Sequence, residues 1–135
     1  MSGVLLDTHA LFWLLSDHPK LGKKSEQLAE RARHRKDLMV CSVTFWEAAH
    51  FLDDGAMETI SSAAELRQST LNAGIIEIDL SGEMALRAYE LMPYHRDPID
   101  RFILAAAEAR QATLVTADHV LLKWRGSVKR HDAHL

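Results

Sequence analysis

His95-Arg96-Asp97-Pro98-Ile99-Asp100-Arg101-Phe102-Ile103-Leu104-Ala105-Ala106-Ala107 is the stretch around which this chain is organised. Proline suits the first helical position, where its missing N–H costs nothing, and an aspartate just before it can cap the free amides. A helix therefore starts at Pro98. Ile99, Phe102, Ile103, Ala106 and Ala107 recur at the spacing of a buried helical stripe. Asp100 falls at the edge of that stripe. A carboxylate there must be solvated, paired or held by a metal, because burying it bare is prohibitive.

Working outward, Ala112-Thr113-Leu114-Val115-Thr116 reads as a strand ending at Ala117-Asp118, followed by a short helix to Lys123. Ser127 to Arg130 is expected to add an edge strand. Upstream, Pro93 to Arg96 is a loop, and Ser81-Gly82-Glu83 opens a helix that runs to Leu91. Ile75 to Leu80 is another apolar strand, behind a weaker helical segment over residues 57–73 that Gly74 closes. Leu38 to Ser42 is a buried strand. Ser42 or Thr44 is expected to cap the helix through Phe45, Trp46, Glu47 and Leu52, and Asp53-Asp54-Gly55 to stop it. Val4-Leu5-Leu6 is a strand ending at Asp7, and Thr8 to Leu15 a helix that is apolar almost all round. Apolar strands alternating with helices mean a single α/β domain with a mostly parallel sheet of four or five strands.

Bulk composition excludes several classes of function. The 135 residues are 47% hydrophobic and 26% charged, which suits one folded domain. A single cysteine, Cys41, allows no internal disulfide and makes a reducing, cytoplasmic setting the default. Met1 to Asp7 reads as neither a signal peptide nor a membrane span. The net charge of −3 argues against nucleic-acid binding by the overall field, although a local patch could still hold it. No Walker loop, Gly-rich dinucleotide fingerprint or paired zinc spacing is present.

In parallel sheets, ligands sit beyond the carboxyl ends of the strands. Chain order alone brings Asp7, Glu47 and Asp118 to that edge; Asp100 joins them only if its helix starts there. Each has a capping role open to it: Asp7 and Asp118 ahead of helices, Glu47 in a box with Thr44, and Asp100 in the first turn behind Asp97. Capping and convergence are compatible, because helix starts and strand ends share an edge. Four acids meeting there would repel one another unless a cation held them, and oxygen-only ligands select Mg²⁺ or Mn²⁺ over zinc.

Leu5-Leu6-Asp7-Thr8-His9-Ala10, Trp46-Glu47, His95 to Arg101 and Leu114-Val115-Thr116-Ala117-Asp118 together resemble the PIN-domain ribonucleases, and most closely the VapC-like toxins of bacterial toxin–antitoxin pairs. The resemblance implies a three-layer α/β/α domain and a metal-dependent endoribonuclease. Asp7, Glu47, Asp100 and Asp118 match the family's metal-binding acids, and Thr116 its hydroxyl beside the last acid. Asp97, His95 and Arg101 belong to the same signature, with Thr8 as a further auxiliary. The resemblance also implies Mg²⁺ or Mn²⁺, RNA as substrate, homodimers, and an antitoxin that occludes the site. Phe51-Leu52-Asp53-Asp54-Gly55 departs from the family's pattern, being acidic where many relatives carry a basic residue. A non-cleaving PIN-like module that binds RNA or a partner is the alternative.

Two surface features remain. Lys20 to Lys36 carries seven Lys and Arg against two Glu, a local +5 that reads either as a solvated helix face or as a phosphate-contacting patch through Lys20, Lys23, Lys24 and Arg31. Phe12 and Trp13 point about 100° apart on one helix, so a single stripe cannot bury both. Trp46 and Phe51 lie beside, not on, the apolar row of theirs. These four are either core or an antitoxin-binding groove.

Overall fold

The computed structural model describes residues 2–54, 60–93 and 95–135. Five strands form one parallel sheet: β1 (Val4–Leu6), β2 (Leu38–Cys41), β3 (Ile76–Ile78), β4 (Thr113–Thr116) and β5 (Arg130–Asp132), in the spatial order β3-β2-β1-β4-β5. β1 is central, with Val4 opposite both Leu38 and Thr113. The strand order reverses between β1 and β4. Such a reversal opens a crevice beyond the carboxyl ends of the two strands, and Asp7 and Asp118 follow those two ends.

Strand side chains alternate between two helical layers. Val4, Leu6, Leu38, Val40 and Val115 pack with α1 (Thr8–Leu15), α2 (Lys23–His34), α3 (Val43–Asp53) and α4 (Ala63–Asn72). Leu5, Met39, Cys41, Ile78 and Leu114 pack with α5 (Gly82–Glu90), α6 (Pro98–Ala109) and Leu121 of α7 (His119–Lys123). Burial on both faces is why β1, β2 and β4 read as apolar runs, whereas the edge strands β3 and β5 are partly open and carry Glu77 and Arg130-His131-Asp132. Helix α6 is buried from Ile103 to Ala107, wider than one stripe, while Phe102 is only half-buried. Asp97 accepts from the Ile99 amide at 3.0 Å, the expected cap.

The structure corrects four local expectations. The Ser42 hydroxyl does not cap α3 but accepts from the Leu80 amide at 3.1 Å, tying the end of β2 to the segment after β3. Thr44 and Glu47 form no capping box, because Thr44 is buried inside the helix and its hydroxyl accepts from Thr8 at 3.2 Å. The cap of α4 is Ser62, with Glu65 reaching back to Ser61, so the helix starts later than residue 57. Gly55 and residues 57–59 lie outside the described residues. Finally, Arg130 donates to the carbonyls of Trp124, Gly126 and Val128, which folds residues 124–128 into a turn and delays the edge strand to Arg130. Gly74 ends the turn after α4 at φ +82°, a conformation that favours glycine. No helix among the described residues is long and apolar enough to cross a membrane.

Candidate active site

Asp7 sits in the crevice as the cap of α1. One carboxylate oxygen accepts from the Ala10 amide at 2.9 Å, and the other accepts from the Thr116 hydroxyl at 2.5 Å. Thr116 in turn accepts from the Asp118 amide at 3.1 Å, so one hydroxyl joins the ends of β1 and β4. Asp118 caps α7 through the Leu121 amide at 3.0 Å. Asp7 is only 6% exposed. Burial raises its pKa, against the lowering effects of Thr116, Ala10 and His9.

Glu47 enters from the first turns of α3. Burial raises its pKa too, the nearby Thr8 hydroxyl opposes that, and the charge of Asp97 adds to it. Helix α6 starts at the same edge of the sheet, which completes the convergence that chain order left open. Asp100 Oδ2 lies 3.0 Å from His95 Nε2. Burial, then the charges of Asp97, Asp118, Glu47 and Asp7, push the Asp100 pKa up to about 8.

Among the described residues, two groups offer ligand atoms that all lie within 4.8 Å of one another: Glu47, Asp97 and Asp100, and His95, Asp100 and Asp118. Both pass through Asp100. Donors around one Mg²⁺ at ~2.1 Å stand at most about 4.2 Å apart, so a small contraction of either group fits the ion. Oxygen donors predominate, and acids pushed above their ordinary pKa are charge awaiting a counter-charge. The residues fit a hard divalent cation.

The acids line a cleft of about 470 Å³, together with Thr8, His9, Trp13, Lys20, Phe51 and His119. The PIN domain family profile matches residues 4–125 of the chain. The chain belongs to the PIN domain family. It is 27% identical to Ribonuclease VapC22 of Mycobacterium tuberculosis over 129 residues, which cover 93% of this chain and 94% of that protein. Its fold is similar to VapBC2 from Rickettsia felis bound to a DNA fragment from its promoter, with a TM-score of 0.68, 16% identity and coverage of 95% and 96% of the two chains. DNA-bound VapBC from Salmonella typhimurium is similar at a TM-score of 0.64 and 18% identity, covering 98% of each chain. A toxin–antitoxin complex from Klebsiella pneumoniae is similar at 0.58 and 21%, covering 86% and 87%.

The remaining candidates divide around this PIN-domain cleft. Lys20 lines it. Lys23 and Lys24 begin α2 beside the chain's last residues, where Lys24 N donates to Leu135 O at 2.8 Å. Arg31 lies eight residues beyond Lys23, ~12 Å along the helix and toward the opposite edge of the sheet. Arg101 points away from the acids and donates to the carbonyls of Ala88, Tyr89 and Leu91, joining α6 to the end of α5. Phe12 is core, Trp13 and Phe51 are half-buried, and Trp46 is 61% exposed with its ring against His50. His9 and His119 line the cleft without having been singled out in the sequence. Their adjacency to the strand-end acids was the available signal.

Proposed function

We propose that this PIN domain is a Mg²⁺- or Mn²⁺-dependent endoribonuclease, the cytoplasmic toxin of a toxin–antitoxin pair, with Asp7, Glu47, Asp100 and Asp118 as its metal-binding acids. The observation that carries this reading is the meeting of Glu47, Asp97, Asp100, Asp118 and His95 in two overlapping ligand groups, whose acids line one cleft together with Asp7. The relation to a protein named a ribonuclease over almost the full length of both supports it.

A bound divalent cation supplies a water of lowered pKa and polarises a phosphate oxygen. The chain's residues provide the frame. Thr116 holds one Asp7 oxygen at 2.5 Å and so fixes the direction of that carboxylate. Asp97 anchors the start of α6 and with it the position of Asp100. His95 restrains the outer oxygen of Asp100. Lys20 adds a cation to the acid-lined cleft, where it can meet the RNA backbone. In-line attack of water on phosphorus expels the 3′ oxygen of the preceding nucleotide and leaves a 5′-phosphate.

The partners follow from the same reading. The structural relatives are toxin–antitoxin assemblies, which supports a cognate antitoxin as partner; that the antitoxin covers the cleft and that the toxin pairs with itself are part of the same proposal and rest on the family resemblance. The test is cleavage of single-stranded RNA by the purified chain and by Glu47→Gln, Asp100→Asn and Asp118→Asn. The parent should cut only with Mg²⁺ or Mn²⁺, and each variant should fold and not cut. Folded variants that cut at the parent's rate would overturn the proposal, and a parent that binds RNA without cutting would make the domain a binding module.

A further inference from the structure

We propose that His9, Trp13 and Phe51 form a stacking platform for one unpaired nucleobase beside the carboxylate cluster, a specificity-determining subsite that rests on the nuclease reading. Two helices build it in the same way. His9 and Trp13 stand four residues apart on α1, the helix that Asp7 caps. Phe51 stands four residues beyond Glu47 on α3. Residues at that spacing share a helix face, so His9 goes with Trp13 and Phe51 with Glu47, and all three rings line the cleft that the acids enter.

The rings meet across the two helices. The His9 centroid lies 4.9 Å from that of Phe51 and 6.0 Å from that of Trp13, with interplanar angles of 47° and 49°. Trp13 is backed by His18, stacked at 6.1 Å and 26°, and by His134 at 5.4 Å and 37°, so the surface offered to an entering base is the side of His9, Trp13 and Phe51 that lines the cleft. Phe12 behaves differently: it is buried, and meets Phe51 edge-on at 6.0 Å as a core contact. His9 by contrast is exposed, and Trp13 and Phe51 are half-buried on the wall of the cleft.

A nucleotide needs both halves of this arrangement. Its base is an apolar plane with polar edges, and its phosphate is an anion. The aromatic wall suits the first, and Lys20 on the same cleft suits the second. The volume of about 470 Å³ lies within the usual range for a ligand site. Proteins read single-stranded RNA by stacking splayed bases on aromatic side chains, which a paired base inside a duplex cannot offer. The platform therefore selects an unpaired nucleotide next to the bond that the acids address.

The test is fluorescence anisotropy with the full chain carrying Asp100→Asn, in Mg²⁺. The probes are a short single-stranded RNA, the same oligomer with abasic riboses, and the same sequence as a duplex. The abasic and duplex probes should each bind about tenfold more weakly than the intact strand, the loss expected of one stacked base. Trp13→Leu and Phe51→Leu should remove the difference between intact and abasic strands, and Trp13→Phe should keep part of it. Should Trp13→Leu fail to fold, exposed His9→Ala and Phe51→Leu carry the comparison. Equal binding of intact and abasic strands by the parent, or a difference that survives in the folded variants, overturns the proposal. Base-dependent binding by a parent that never cuts RNA would remove the nuclease reading and leave the platform standing.

Discussion

Oδ2 of Asp100 lies 3.0 Å from Nε2 of His95, and Asp100 is the residue shared by both ligand groups of the cleft. Its surroundings oppose ionisation, with a pKa pushed up from 3.8 to about 8. The folded chain therefore keeps a proton on Asp100 that the unfolded chain has already released. Its stabilising contribution is complete below pH 3.8 and is lost as pH rises through about 8. Without metal, the melting temperature should decline across that window, and Asp100→Asn should flatten the decline. Buried Asp7 and half-buried Glu47 push in the same direction.

A cation competes with that proton. The gain in melting temperature on adding Mg²⁺ should thus be larger above pH 8 than at about pH 6. Equal gains at both would show that protonation of Asp100 does not oppose the ion.

Asp97 has two separable effects. It caps α6, and its charge raises the pKa of both Asp100 and Glu47. Asp97→Asn keeps a capping oxygen and removes the charge, so it should be at least as stable as the parent at neutral pH. Asp97→Ala loses the cap and should be about 1 kcal/mol less stable than Asp97→Asn. Identical melting curves for the two variants would remove the capping argument.

How far these residues could be read from the sequence depends on the kind of interaction that places them. The strands and the Asp97-Pro98 start were legible because burial on two faces and proline at the first turn leave local signatures. The acids were legible because strand ends and helix starts lie at one edge of a parallel sheet. Thr44 was misread because a capping box is only a spacing, and the contact that overrides it comes from Thr8, 36 residues away. The edge strand was misplaced because Arg130 reaches back to three carbonyls, a long-side-chain interaction with no periodic trace. The basic segment split for a geometric reason. A run of charge in sequence spreads out along a helix, so Lys20, ahead of α2, reaches the cleft while Arg31 lies far along α2.

That split is testable. Lys20→Ala should weaken RNA binding for every sequence and lower the salt slope by about one. Arg31→Ala should leave both unchanged. The reverse ranking would move the RNA path onto the far end of α2.

Trp46 is the exposed aromatic residue nearest in sequence to the acids, and the best remaining anchor for an antitoxin among the four aromatics first considered. Trp46→Ser should change stability by no more than about 0.5 kcal/mol, as for other surface positions. It should weaken antitoxin binding at least tenfold, ~1.4 kcal/mol. Unchanged affinity would place the partner elsewhere.

The most direct measurement for the account as a whole is mass spectrometry of the RNA ends produced by the purified chain in Mg²⁺. Attack by water with departure of the 3′ oxygen predicts a 5′-phosphate and a 3′-hydroxyl, and no products when the cation is chelated. A 2′,3′-cyclic phosphate, or cutting that persists in excess chelator, would contradict the carboxylate cluster as the seat of catalysis.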